Sequence, residues 1–461
     1  MTTPTLLLLN RLREQLASPF PDAPGTYCLS AQETISSPAS LLNWLDAQIL
    51  YPKFYWQHRA DEIEAAVCGQ IRSFYDADAV HDFLAHHTQI DTRVWGINAF
   101  DEVVIDQRPR TGFFFLPRFE IIRQGDLITM TCHLASEHSL RADARDATAL
   151  LVRLARTEPL PALNTAITEI RHEPDYPQWR KMIEEALVAI TARAFDKVVL
   201  ARRTALTLTK PLSPAAFLAT SRKVNHNCYH FMLMFAPHAA FLGSTPERLY
   251  RRDGLNLATE ALAGTVANAE DDAQAERLAD WLIADEKNQR ENYLVVEDIC
   301  QRLSDVAADL HIGAAHVLRL RKVQHLRRNI NAHLFRANDA QCLQRLQPTA
   351  AVAGLPRAAA RRFIAEHEPF TRGWYAGSAG YCAREEAEFA VTLRSALVEE
   401  NNVFLYAGGG IVAGSEAESE WREIETKAAG LRCLLDDSNE RSSARIDSEP
   451  LLQSSDSIFK K

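Results

Sequence analysis

The chain has 461 residues, and its 51 Lys and Arg residues against 60 Asp and Glu residues give a formal net charge of −9. A hydrophobic content of 47% with 24% charged residues is ordinary for a globular protein and excludes a disordered chain. The acidic balance, with Lys and Arg scattered along the chain, disfavours nucleic acid as the main partner.

The first part of the chain, residues 1–165, is predicted to mix strands and helices. Two apolar segments, 112–122 and 127–132, flank Gln124-Gly125-Asp126 and predict a β-hairpin. A helix is predicted over 144–155. No pattern of reactive side chains stands out here, so this part is expected to be a scaffold that covers the rest of the protein.

The second part, residues 166–435, carries clearer periodicity. Apolar residues from Trp179 to Ala194 recur at helical spacing and predict a helix that ends at about Phe195. Further helices are predicted over 271–308 and 415–435. Strands are predicted at 197–206, 231–235, 240–242, 389–394 and 403–406, with a hairpin over 248–259 that turns at Asp253-Gly254.

Strands paired through hairpins, with long helices between them, predict an α/β architecture with largely antiparallel sheets. No long Gly, Ser or Pro linker separates the two parts, so we expect one large unit. Residues 436–461 are polar and Ser-rich, and they are expected to form a disordered tail.

Compartment and membrane contact are predicted from what the sequence lacks. No run of about 18 apolar residues occurs, so no membrane span is expected. Residues 1–10 have no basic leader and no cleavage site, so no signal peptide is expected. None of the eight cysteines forms a Cys-x-x-Cys pair, which favours reduced thiols in the cytoplasm over disulfides or a zinc site.

The closing helix carries a stripe of acids. Glu416, Glu420, Glu423 and Lys427 lie at i, i+4, i+7 and i+11, on one face. Three carboxylates on one face repel one another unless a cation lies among them, and Mg²⁺ binds oxygen ligands. The alternative is a solvated face with an ordinary Glu423–Lys427 pair. Glu291, in the long charged helix, is by its position either a further ligand or a surface charge.

Two residues at strand ends are candidates for acid–base chemistry. Lys197 opens an apolar strand, where partial desolvation would make its amine a general base, although a Lys at a strand end can also reach solvent. Glu247 follows Pro246 in a turn directly after a strand. A base and an acid from different turns could flank a substrate, but the sequence alone does not set their distance.

Two further features favour anion binding. Arg394 ends an apolar strand and could bind a carboxylate, or form a salt bridge at a sheet edge. Gly408, Gly409 and Gly410 follow another strand, where backbone N–H groups could approach an anion, or where the chain simply turns.

Together these motifs resemble the chorismate-utilising enzymes, over about residues 170–435. The resemblance rests on ordered segments along the second part of the chain. They are Lys197–Arg202, Ser244–Arg248, Ala263–Thr265, Gln324–Leu326, Pro348–Ala350, Arg372–Gly377, Ala407–Ile411 and Glu420–Glu423. Thr259–Thr265, Asn288–Asn292 and Gly112–Phe119 are similar to the isochorismate synthase branch of that family, of the type that serves menaquinone biosynthesis.

The resemblance implies a large unit of two face-to-face, mainly antiparallel sheets with helices outside, and a cytoplasmic isomerase that converts chorismate to isochorismate. It assigns Lys197 as the base that activates water for attack at C2, and Glu247 as the acid for the C4 hydroxyl. It implies Mg²⁺ held by Glu291 and Glu423, with Glu420 close by. The implied substrate contacts are Gly264, Thr265, His325, Tyr375, Arg394, Gly408, Gly410 and Lys427.

The chain departs from the family pattern at Gln347, where His is common, and at Ser378-Ala379, both of which concern the shape of the pocket. Asn288 stands where salicylate synthases tend to carry an acid. A salicylate synthase, an isochorismate synthase of a siderophore pathway, and a non-catalytic chorismate-binding protein stay open as alternatives. The chain is expected to bind neither nucleic acid nor membrane and to be a monomer or homodimer.

Overall fold

The structure is a computed structural model, and it describes residues 3–35, 40–87 and 92–446. The helices are α1 (Thr3–Leu16), α2 (Leu41–Asp46), α3 (Ala77–His86), α4 (Leu140–Val152), α5 (Tyr176–Thr191), α6 (Pro214–Val224), α7 (Asp272–Ala284), α8 (Glu286–Leu303), α9 (Asp339–Leu346), α10 (Arg357–His367) and α11 (Ala417–Ile446).

The strands are β1 (Gly25–Thr34), β2 (Lys53–Gln57), β3 (Glu64–Phe74), β4 (Val94–Ile105), β5 (Arg108–Gln124), β6 (Leu127–Ser136), β7 (Ile167–Glu173), β8 (Lys197–Leu208), β9 (Tyr229–Ala236), β10 (Ala239–Thr245), β11 (Arg248–Asp253), β12 (Asn256–Ala267), β13 (Ala307–Ile312), β14 (His316–Arg319), β15 (Val323–Leu334), β16 (Gly354–Leu355), β17 (Ser378–Cys382), β18 (Glu386–Val391), β19 (Ser395–Glu399) and β20 (Asn402–Ile411).

The long strand β5 joins two arms of one antiparallel sheet. One side of β5 pairs with β3, while the other side pairs with β4 near its start and with β6 near its end. The first arm runs β1-β6-β5-β3-β2-β9-β10-β19-β20-β8-β7, with β16 also on β8, and the second runs from β5 through β4-β17-β18-β11-β12-β15, with β13 and β14 on β15. The two predicted antiparallel sheets are therefore arms of one continuous sheet.

The two arms pack face to face on a shared apolar core. Side chains of a strand alternate between faces, so Phe54 and Trp56 lie in this core while Tyr55 points to the opposite side. The ring of Phe54 in the first arm lies 5.8 Å from the ring of Trp95 in the second. Burial of an aromatic side chain of this kind contributes about 1.5–3 kcal/mol to stability.

A second core lies on the outer face of the first arm, where α1, α2, α4 and α6 cover it. Strands from both parts of the chain build the first arm, since β2 pairs with β9. The expectation of a large antiparallel unit with helices outside is confirmed. Among the described residues, no helix is both long and apolar enough to cross a membrane.

The predicted hairpin is confirmed as β5 and β6, which turn at Gly125 with φ 57°. The helix predicted over 144–155 begins earlier, at Leu140, because Ser139 accepts a hydrogen bond from the Ala142 amide as its N-cap. The helix predicted to end at about Phe195 ends at Thr191, and Arg193 has a positive φ of 60°.

The prediction of one helix over 271–308 is wrong. The chain breaks into α7 and α8 at Asp285, whose backbone is extended and whose carboxylate accepts a hydrogen bond from the Asn288 amide as the N-cap of α8. Strand β13 begins at Ala307, inside the predicted helix. Helical periodicity continues across Asp285, so only the local capping geometry marks the break.

The closing helix is longer than predicted. α11 runs from Ala417 to Ile446 and so extends past residue 435 into the segment expected to be a disordered tail. The remainder of that predicted tail, residues 447–461, lies outside the described residues.

Candidate active site

One cavity of about 390 Å³ opens where strands β8, β12 and β20 meet helices α8 and α11. All the site residues that the family resemblance implied line this cavity, although they are far apart in the chain. They are Lys197, Glu247, Gly264, Thr265, Glu291, His325, Tyr375, Arg394, Gly408, Gly410, Glu420, Glu423 and Lys427. Glu416, the first acid of the stripe, is exposed and precedes α11.

The pairing of β20 with β8 explains the glycines of the cavity wall. Gly410 lies opposite Val199, and a Cβ at Gly410 would come within 2.9 Å of Lys197 Cε and 3.5 Å of Glu291 Oε1. A Cβ at Gly408 would lie 2.9 Å from the Tyr375 hydroxyl. Glycine is required here because the functional side chains pass directly over the strand.

Lys197 and Glu291 form an ion pair in the lining of the cavity. Lys197 is 2% exposed, and its Nζ donates a hydrogen bond of 2.8 Å to Glu291 Oε1. Burial acts to raise the pKa of Glu291, but the charges of Lys197, Lys427 and Lys287 outweigh it and hold that pKa below its usual value. Glu291 is therefore an ionised carboxylate beside the Lys197 amine.

Glu247 is a buried carboxyl that lines the same cavity. It is 3% exposed, and burial together with the nearby charge of Glu260 raises its pKa to about 8. The charges of Lys197 and Arg59 and the side chain of Thr349 oppose this shift without cancelling it. Glu247 therefore holds a proton at neutral pH, the state that a general acid needs.

A third wall comes from β12 and β15. Thr265 Oγ1 lies 3.0 Å from His325 Nδ1, and an Arg394 guanidinium nitrogen lies 3.1 Å from His325 Nε2. Burial and the charges of Arg394 and Lys427 keep the pKa of His325 well below its usual value, so this imidazole is neutral. Arg394 has a positive φ of 46° and supplies a partly buried cation.

The Asn288 side chain holds the turn at Gly264. Its Oδ1 accepts a hydrogen bond of 3.2 Å from the Thr265 amide, and its Nδ2 donates to Asp285 Oδ2 at 2.7 Å. Gly264 has a φ of 86°, and its Cβ position would lie 3.2 Å from Asn288. The residue that departs from the salicylate synthase pattern therefore links the helix break at Asp285 to the cavity wall.

The fourth wall is the acidic face of α11. Lys427 Nζ lies 2.7 Å from Glu423 Oε1 and donates a hydrogen bond of 2.9 Å to the Gly408 carbonyl. Glu420 accepts a hydrogen bond of 2.9 Å from the Ser415 hydroxyl. Burial and the neighbouring charge of Glu423 raise the pKa of Glu420 to about 6.

The chemistry of this wall suits a hard cation. Glu291, Glu420 and Glu423 present carboxylate oxygens to one cavity, and burial together with the charge of Glu423 raises the pKa of Glu420. Two of these carboxylates bind lysines instead, Glu291 with Lys197 and Glu423 with Lys427. Within the described segments, no three His, Cys, Asp or Glu side chains are gathered into a ready-made metal cluster. The donor set fits Mg²⁺ once these ion pairs open.

Gln347 and Ser378, at which the chain departs from the family pattern, are hydrogen-bonded to each other. Ser378 Oγ donates a hydrogen bond of 2.6 Å to Gln347 Oε1, and Gln347 Nε2 donates to the Ala99 carbonyl at 2.7 Å. Neither Gln347 nor Ser378 lines the cavity. They join the strand β17 to the loop before α10, so their effect on the pocket is indirect.

Sequence reasoning missed the role of several neighbours. Asp285 and Lys287 line the cavity mouth at the helix break, and Trp281 lies beside them with half of its surface exposed. Glu260 and Arg59 lie behind Glu247. In the sequence, Glu260 stands out as an acid within the mostly apolar segment from Leu257 to Ala263. Nothing in the sequence around Arg59 marks that residue.

Comparisons with known proteins give a consistent result. The sequence profile of the family described as "Chorismate binding enzyme" matches residues 23–436. The chain is 50% identical to isochorismate synthase MenF of Escherichia coli (strain K12), over 94% of this chain and 99% of that protein. It is 39% identical to isochorismate synthase MenF of Pasteurella multocida (strain Pm70), over 86% of this chain and 90% of that protein.

The fold agrees with these sequence comparisons. The solved structure of MenF, the menaquinone-specific isochorismate synthase from Escherichia coli, superimposes with a TM-score of 0.90 at 50% sequence identity. That superposition covers 94% of this chain and 100% of the other.

Proposed function

The chain belongs to the family of chorismate binding enzymes, and from this premise we propose that it is an isochorismate synthase. The enzyme is an isomerase that converts chorismate to isochorismate, with water adding at C2, the ring double bonds shifting, and the C4 hydroxyl leaving. One observation carries the proposal beyond family membership. A buried lysine and a carboxyl protonated at neutral pH line the same cavity.

Lys197 is the proposed base. Its amine accepts a proton from water as the water oxygen bonds to C2 of the ring. In this structure the amine donates to Glu291, so it must leave that carboxylate and lose its proton before it accepts another.

Glu247 is the proposed acid. It delivers its proton to the C4 oxygen as the carbon–oxygen bond breaks, so that water leaves and not hydroxide. Its raised pKa of about 8 leaves it protonated at neutral pH. In the reverse reaction the two groups exchange roles, with Lys197 donating the proton and Glu247 accepting one.

Cations around the cavity suit a substrate with two carboxylates. We propose that Arg394 and Lys427 bind these carboxylates, since both are cations that face the cavity. The hydroxyl of Tyr375, close to Gly408, and the neutral imidazole of His325 complete the polar lining. The substrate ring can approach the base and the acid because the residues between them have small side chains or none. These residues are Gly264, Thr265, Gly408 and Gly410.

We propose that Glu291, Glu420 and Glu423 hold Mg²⁺. When bound, the ion would neutralise the substrate carboxylate and stabilise the charge that spreads onto it during substitution. The supporting observation is the donor set described above, three carboxylates from α8 and α11 that line one cavity, with a raised pKa at Glu420.

We also propose that the product serves menaquinone biosynthesis and that the enzyme acts in the cytoplasm. The support for the pathway is the 50% and 39% identity to proteins named MenF, and the likeness to a structure described as menaquinone-specific. The support for the compartment is a set of five buried thiols, whose pKa values are raised by burial. These are Cys68, Cys132, Cys228, Cys342 and Cys382.

The deciding experiment is incubation with chorismate and Mg²⁺ followed by chromatography of the products. Isochorismate in equilibrium with chorismate is expected. Salicylate with pyruvate would instead identify a salicylate synthase, and unchanged chorismate bound to the protein would identify a non-catalytic binding protein. Either of those two results would refute the proposed function.

A further inference from the structure

A buried ion pair lies directly behind the proposed acid. Glu260 on β12 is 2% exposed, and Arg59, in the turn between β2 and β3, donates to both of its oxygens. The distances are 2.6 Å from Nη1 to Oε1 and 2.7 Å from Nη2 to Oε2. Such a bidentate pair is both strong and geometrically rigid.

Each partner of this pair also holds the turn that carries Glu247. Arg59 Nη1 donates a hydrogen bond of 2.8 Å to the carbonyl of Pro246, the residue before Glu247. Glu260 Oε1 accepts a hydrogen bond of 2.9 Å from the amide of Arg248, the residue after it. The backbone on both sides of Glu247 is thus fixed to one ion pair, although neither Arg59 nor Glu260 lines the cavity.

We propose that the Glu260–Arg59 pair positions Glu247 for proton transfer and that the charge of Glu260 keeps this carboxyl in its acid form. Glu260 is then a positioning residue, which acts on the substrate only through Glu247. Residue Arg59 of the predicted scaffold contributes to the chemistry in the same way. The inference rests on the proposed role of Glu247 as the acid.

The charges around Glu247 give the direction of the effect. Lys197 from β8 and Arg59 are cations that favour the ionised carboxyl, and the Thr349 side chain favours it as well. Glu260 is the negative charge that opposes them, in addition to burial. Without the charge of Glu260, Glu247 would face two cations and no anion among these groups, and it would lose its proton at a lower pH.

The test is the pH dependence of kcat/KM for chorismate in the Glu260→Gln variant. The amide retains the size of the side chain and an oxygen for Arg59 and the Arg248 amide, but it removes the charge. The alkaline limb of the profile, where Glu247 loses its proton, should move down by about one pH unit or more. At alkaline pH the variant should therefore lose about tenfold more activity than at neutral pH.

The matched control is Asp339→Asn. Asp339 is likewise buried and binds Arg252 through two hydrogen bonds of 2.8 and 2.7 Å, yet it lies outside the cavity lining. This variant should lose stability and leave the alkaline limb where it is. A Glu260→Gln profile that superimposes on the wild-type profile after scaling would overturn the inference.

A second readout does not depend on turnover. The infrared carbonyl band of a protonated carboxyl that disappears in Glu247→Gln reports the ionisation of Glu247 directly, whichever reaction the protein catalyses. Its midpoint should be lower in Glu260→Gln than in the wild type, and an unchanged midpoint overturns the inference even if the proposed function stands. A protein that does not make isochorismate but shows the lower midpoint would refute the function alone.

If Glu260→Gln does not fold, Glu260→Asp replaces it. The shorter side chain keeps the charge but withdraws it from Glu247 by one methylene group. The infrared midpoint should then fall by a smaller amount in the same direction, and a folded Glu260→Asp protein with the wild-type midpoint would overturn the inference.

Discussion

Replacing Glu247 by Gln should abolish turnover and at the same time stabilise the protein at alkaline pH. The folded protein raises the pKa of Glu247 from its usual 4.5 to about 8, because burial and Glu260 penalise the charged form. An unfolded chain returns this carboxyl to its usual pKa. The difference makes the stability of the wild-type protein depend on pH, and the Gln variant lacks that dependence.

The sign follows from proton linkage. Below pH 4.5 the carboxyl is protonated in both states and makes no difference to stability. As the pH rises from 4.5 towards 8, the unfolded state releases the proton while the folded state keeps it, so wild-type stability falls. Above pH 8 the loss is complete and amounts to about 5 kcal/mol, at about 1.36 kcal/mol for each pKa unit.

The Gln variant avoids this loss of stability. Its amide offsets part of the benefit, because its hydrogen bonds in the site are weaker than those of the acid by about 0.5–1.5 kcal/mol. Glu247→Gln should therefore be less stable than the wild type by about 1 kcal/mol at pH 4.5 and more stable by about 3–4 kcal/mol at pH 9. Urea unfolding of both proteins across this pH range measures the difference. Glu276→Gln, at an exposed position on α7, is the control and should show no such trend.

Turnover of chorismate is measured on the same samples. Because Gln keeps the shape of the acid but has no proton to give, chorismate binding should stay within a few-fold of the wild type while forward and reverse turnover are lost. A stability difference that does not change with pH would refute the raised pKa. Near wild-type turnover would mean that another group supplies the proton.

Three further predictions concern the rest of the cavity. Lys197→Ala should lower the rate by about 10²–10⁴. Wild-type turnover in H₂¹⁸O should place the label at C2, and product without the label would contradict the role of Lys197 as a base that activates water. Treatment with EDTA should remove activity, and added Mg²⁺ should restore it. Glu423→Gln should fold but show no Mg²⁺ binding by calorimetry. Full turnover in metal-free buffer would rule out the proposed metal. Gly410→Ala should displace the Lys197 side chain, whose Cε would lie 2.9 Å from the new Cβ, and so lower kcat. The control is Gly430→Ala in α11, where the new Cβ would have no atom within 4 Å. This variant should stabilise the protein by about 0.5–1 kcal/mol without changing kcat. Equal kcat in both variants would show that the close approach at Gly410 does not matter.

Local pattern was enough to predict many of the elements. The Asp253-Gly254 turn and the alternating segments beside it form β11 and β12, and the hairpin at Gly125 forms as predicted. Alternation and turn chemistry are properties of neighbouring residues, so they are visible in the sequence. The break at Asp285 was missed because the helical pattern continues through it, and only the extended backbone of that residue shows that one helix has ended.

For the site, the sequence by itself determined which residue types are present, and the family motifs suggested which of them belong together. Only the tertiary structure decided that Lys197 meets Glu291 at 2.8 Å, that Glu247 is buried against Glu260, and that Arg59 reaches from the first part of the chain to hold both sides of the acid. The register of β8 with β20 and the packing of the two arms fix these distances, and both depend on pairings between strands far apart in the chain. The pKa of a carboxyl depends in turn on burial and on charges from other strands, so the acid form of Glu247 is a property of the folded protein and not of its sequence neighbours.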